Sequence, residues 1–165
     1  MPDVFTLATI FTKFALYLGV LTATGTVMVA GIFRLDRTGG LTVVFACLGM
    51  VATLVAFSLL GANLTGDASG MIDPEMLALL WNTSVGTALL LRLVGLGLLI
   101  AGVFVGRFGT LVSMMGGVIA IWSFHQTGHV FSREATSLDI ALTLHLLAVA
   151  FWIGILLPLH HLAAD

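Results

Sequence analysis

Five stretches of this chain are long and apolar enough to cross a lipid bilayer: roughly 5–33, 41–62, 77–106, 108–127 and 138–159. A helix needs about 20 such residues to span the hydrocarbon core. In lipid every backbone polar group must be satisfied within the chain, so these stretches are predicted to be helices. Composition excludes the water-soluble alternative. The chain is 59% hydrophobic and 8% charged, against roughly 25% charged residues in soluble domains. The predicted fold class is therefore all-α, a polytopic transmembrane helix bundle of about five spans forming one domain over residues 1–165.

The first and third stretches exceed the length a span needs, so their ends project or tilt. Trp81-Asn82-Thr83-Ser84 can break or cap a helix, and the third stretch is predicted to begin with a short interfacial turn there. The N-terminus lacks a basic region and its early charge is Asp3, so it reads as a retained first helix rather than a signal peptide. Cys47 is the single cysteine, which excludes an intrachain disulfide and any multi-cysteine metal site.

Few charges set the orientation. Arg34 and Arg37 lie in the loop after the first span, and Arg107 lies between the third and fourth. The loop 63–75 is acidic, with Asp67, Asp73 and Glu75. The positive-inside rule puts the arginine loops in the cytoplasm, the N-terminus outside and the C-terminus inside. The formal net charge of −2 and the absence of a basic patch argue against nucleic acid as a partner. No nucleophile–base arrangement, phosphate loop or carboxylate pair points to a hydrolase. Nineteen glycines, among them "GVFVG" (102–106) and Gly116-Gly117, are read as helix-packing positions.

"WSFHQTGHV" (122–130) carries His125 and His129 four residues apart at the outer end of the fourth span. On a helix they share a face. His145 lies about two turns below the outer end of the fifth span. The loop between these spans is short, so all three imidazoles are expected to converge in the outer half of the membrane. Imidazole nitrogens are ligands for copper, zinc and haem iron. Glu134 and Asp139 flank the cluster and are placed to orient a histidine ring. The bland alternative is that His125 and His129 are interfacial and solvated. His145 is deeper, and ionisable residues inside a span are functional hypotheses by default. His160 and His161 read as a solvated helix end.

Arg92 is the other costly residue, near mid-span with no charged neighbour in its own helix. It must face the bundle and find an anionic or carbonyl partner. Asp139, Glu75, a helix C-terminus and a haem propionate are the candidates. Lys13 can snorkel outward. Met28, Met50, Met114 and Met115 lie in spans without an MxM or MxxM cluster and read mainly as packing. Met114, eleven residues before His125, is a conceivable later stop for inward-moving copper.

"LHLLAVAFWIGILLPL" (144–159) resembles the LH-small-W-x-G signature of the CopD family of bacterial inner-membrane copper proteins. "WSFHQTGHV" resembles that family's segment ending in a Gly-His pair, and "TSVGTALLLR" (83–92) its T-x-x-G-x-x-x-x-x-R segment. The resemblance covers roughly residues 80–160. It implies a multi-pass protein of the bacterial inner membrane in copper uptake or tolerance, often beside a periplasmic copper-binding partner. Its positions fall on His129, His145, Trp152 and Arg92. Typical members are longer, with more spans, which makes a subunit of a larger membrane complex or oligomer a competing expectation. The LH…W-x-G segment also looks like one in HemJ-type haem membrane proteins, the protoporphyrinogen oxidases. The lysine expected near that histidine is absent here, where Ala141-Leu142-Thr143-Leu144 precede His145. That likeness implies haem b held between spans four and five, with Arg92 on a propionate.

Overall fold

The computed structural model describes residues 4–35, 38–127 and 136–164, and among them there is no strand. Six α-helices follow in order: α1 Val4–Phe33, α2 Gly39–Thr65, α3 Pro74–Trp81, α4 Ser84–Phe104, α5 Gly109–Trp122 and α6 Thr136–Ala164. Short 3₁₀ turns lie at Ala68–Met71 and Ser123–Thr127. The all-helical bundle follows from the apolar runs. Helices α1, α2 and α4 and the Ser137–Leu156 part of α6 are each long and apolar enough to cross a membrane.

The fourth predicted span differs in form. Its α-helical part is only 14 residues, and the 3₁₀ turn Ser123–Thr127 continues it. Together they extend about 31 Å, comparable to the hydrocarbon core of about 30 Å. The change of winding shifts the directions of the Ser123, Phe124, His125 and Gln126 side chains.

The expected break in the third stretch is present. Asp73 caps α3 by accepting from the Glu75 amide at 3.0 Å, with Pro74 at the first helical position. Thr83 then caps α4, its hydroxyl accepting from the Val85 amide at 3.2 Å. A separate eight-residue α3 therefore precedes the spanning helix α4.

Helix α1 is the centre of the bundle, packed against α2, α5 and α6, while α4 packs against α2 and α5. Every residue from Gly19 to Val27 is buried, as expected for a helix apolar all round and surrounded by others. Close approach depends on small residues. A Cβ on Gly25 would meet the carbonyl of Ala150, and one on Gly154 would meet Gly25, so α1 and α6 touch backbone to backbone there. Gly116 packs on α4 and Gly117 on Thr24 of α1, so this pair serves two interfaces. "GVFVG" does so only in part: Gly102 packs against Gly109 and Ser113, but nothing lies within 4 Å of a Cβ on Gly106.

Candidate functional site

The 3₁₀ turn after α5 is where the chemistry-bearing residues gather. Ser123 and Phe124 face α1 and α4, and His125 faces α6. Ser123 is fully buried. Its hydroxyl donates to the Ala120 carbonyl at 2.6 Å and accepts from Arg92 Nε at 2.9 Å. The Arg92 guanidinium lies 4.7 Å from the Phe124 ring centroid, and Phe124 stacks on Tyr17 at 4.6 Å with the planes 8° apart. Arg92 is only 7% exposed. A buried hydroxyl and a ring face thus receive the mid-span guanidinium. Neither Asp139 nor Glu75 is the described partner. The sequence signal for Ser123 and Phe124 was weak, because neither is charged.

His125 is held by the first turns of α6. Its Nδ1 lies 3.3 Å from the Asp139 carboxylate, and its Nε2 lies 2.6 Å from the Thr143 hydroxyl. Asp139 sits in the first turn of α6, where the helix dipole favours negative charge. Thr143 is one turn further on, and its hydroxyl also lies 2.9 Å from the Asp139 carbonyl. The Trp122 ring closes one side, 4.9 Å from the imidazole. The His125 side chain is 7% exposed and that of Asp139 34%.

The proton count narrows the chemistry. Thr143 has one hydroxyl proton. If it goes to His125 Nε2, Nδ1 carries the ring proton and donates it to Asp139. If it goes to the Asp139 carbonyl, Nε2 is a donor, and a proton on Nδ1 then makes an imidazolium facing the carboxylate. In both well-paired arrangements Nδ1–H points at Asp139. The nitrogen left for a metal is Nε2, and it is reached only when the Thr143 contact opens.

The expected convergence of three imidazoles is not formed by the described residues. Helix α6 turns Thr143, Ala150 and Gly154 into the bundle, whereas His145 and Trp152 are exposed on the outward face, two turns apart. His145 is therefore not brought beside His125 among the described residues. The physical cause is rotation about the α6 axis, set by the Gly25–Gly154 crossing. His129 lies outside the described residues. Among the described residues no group of three or more His, Cys, Asp or Glu is placed to hold a metal ion. Met114 is half-buried near Gly31, where a Cβ would meet its methyl group. It packs in the α1–α5 interface. Of the supporting residues, Asp139 is brought to a described candidate ligand, His125.

Residues 1–140 match a family model described as Copper resistance protein D-like, N-terminal domain. No curated protein and no solved structure matches the chain. The family match takes in α1 and α2, which the motif resemblance left aside, and ends before the "LHLLAVAFWIG" segment.

Proposed function

This chain belongs to the copper resistance protein D-like family, and we propose that it binds copper at the bundle end where His125 meets α6, in copper uptake, transfer or tolerance. Its family and its apolar helices make it a membrane protein of copper resistance in general. The observation that carries the finer reading is the Asp139–His125 contact. A carboxylate on one ring nitrogen is how proteins commonly orient a metal-binding histidine and raise its basicity. His125 Nε2 then serves as one ligand, and His129, four residues on, supplies a second. Copper is the cargo here. The positive-inside rule puts this end on the periplasmic side of a bacterial inner membrane, facing a periplasmic donor of copper.

The test is copper and iron per polypeptide in protein extracted gently from copper-grown membranes. About one copper per chain, lost in a His125→Ala, His129→Ala double variant, is expected for two cooperating imidazole ligands. Iron with a Soret band would instead return the haem reading. Neither metal would remove the site.

A second reading, a subunit of a larger membrane assembly, is favoured by His145. It stands exposed on the outward face of α6, where lipid is a costly neighbour for an imidazole. A stoichiometric partner in mild detergent, released by His145→Leu, is the expected result. A monodisperse monomer sinks this reading.

A further inference from the structure

Two connecting turns meet at the bundle end away from His125. Helix α1 ends and α2 starts there, and α4 ends and α5 starts beside them. A Cβ on Gly39 of α2 would meet the Val103 side chain of α4, and Gly31 of α1 lies against Thr110 and Met114 of α5. These contacts bring the turn after α1 next to the turn after α4. Arg34 stands in the first turn and Arg107 in the second, and both are exposed. Neither forms an ion pair among the described residues. Phe33, Phe104 and Phe108 flank them and are exposed as well. Asp36 and Arg37 lie outside the described residues; with both counted, the two turns hold three arginines against one carboxylate.

Backbone conformation singles out Arg34. Its φ is 52°, in the left-handed region. The Leu35 amide donates to the Ala30 carbonyl at 3.1 Å and closes the end of α1 around it. Glycine is the usual residue at such a helix end, because an L side chain is strained there. Arginine stands where glycine would relieve the strain, and among the described residues no ion pair offsets it. That directs the guanidinium to a partner outside the chain. Two exposed cations beside three exposed rings fit the headgroup boundary of a bilayer, where basic side chains attract anionic lipid and apolar rings enter the hydrocarbon. We propose that Arg34 and Arg107 together hold the phosphate of an anionic phospholipid, with its chains against Phe33, Phe104 and Phe108. The planar guanidinium suits this ligand because its fork pairs with two phosphate oxygens. The lipid site shares no residue with the copper site, so either can fail alone.

The full chain in a neutral detergent is titrated with phosphatidylglycerol or phosphatidylcholine, and bound lipid is counted by native mass spectrometry. Phosphatidylglycerol is expected to bind several-fold more tightly. Arg34→Gly and Arg107→Gln are each expected to weaken it roughly five-fold, as for one basic group lost at a headgroup. The thermal midpoint of lipid-free Arg34→Gly should hold or rise, because glycine adopts this φ without strain. Lys13→Gln removes one charge nearer the opposite end of α1 and is expected to leave the affinity unchanged. Equal affinity for the two lipids, unchanged affinity in both arginine variants, or an equal loss in Lys13→Gln overturns the proposal. So does a lowered midpoint in Arg34→Gly, which would make Arg34 a fold contact. Displacement by inorganic phosphate at comparable concentration overturns the lipid and leaves a small-anion site.

Discussion

His125 Nε2 and the Thr143 hydroxyl lie 2.6 Å apart, so the imidazole nitrogen best placed to take a metal is covered by a residue of α6. The same ring is held on its other side by Asp139. Helix α6 therefore both orients the histidine and occludes it. Metal entry at this nitrogen requires exchange of one contact for another, and the two α6 residues have opposite expected effects.

Thr143→Val keeps the shape of the side chain and removes the hydroxyl. Loss of one buried hydrogen bond costs about 1 kcal/mol of stability. Copper affinity is expected to rise several-fold, because no contact at Nε2 has to be broken first; competition with a chelator measures it. Weaker copper binding in this variant would mean that the hydroxyl helps to hold the metal.

Asp139→Asn is expected to act the other way. Removing the carboxylate that orients a ligating histidine typically lowers metal affinity by about 10–100-fold. Helical content should be unchanged by circular dichroism. Unaltered copper retention would separate Asp139 from the site.

Arg92 contributes to the fold through its described contacts with Ser123 and Phe124. Arg92→Met is expected to cost about 2–3 kcal/mol through the lost charge-assisted hydrogen bond and the ring contact. Lysine retains the charge but not the Nε donor or the planar stacking surface. Arg92→Lys should therefore recover little of the loss. Thermal unfolding of both variants in one detergent makes the comparison, and full recovery by lysine would refute the role given to the planar group.

The Gly25–Gly154 crossing decides which face of α6 looks inward. Gly25→Leu forces a side chain into the Ala150 backbone, which cannot yield as a flexible side chain does. Overpacking of this kind costs about 1–3 kcal/mol or more. Cysteines placed across α1 and α6 should cross-link less efficiently in this variant. Gly106→Ala, with nothing within 4 Å of the added carbon, is the matched substitution expected to leave both stability and cross-linking unchanged.

Sequence alone determined the class of the protein and most of its helices. Run length against bilayer thickness identifies the spans, and the capping side chain of Thr83 marks where α4 begins. It also identified Arg92 and His145 as residues costly enough in lipid to need a reason. Depth along a helix is readable in this way because it is a count of residues. Rotation about the helix axis is not, because α6 is apolar nearly all round and has no polar face to betray its inward side. Only the tertiary structure decided that Asp139 and Thr143 turn toward His125 while His145 turns away. Backbone contact at Gly25 and Gly154 sets that rotation. The 3₁₀ winding after Trp122 likewise sends Phe124 toward Arg92 and His125 toward α6, a division that ideal α-helical spacing did not foretell.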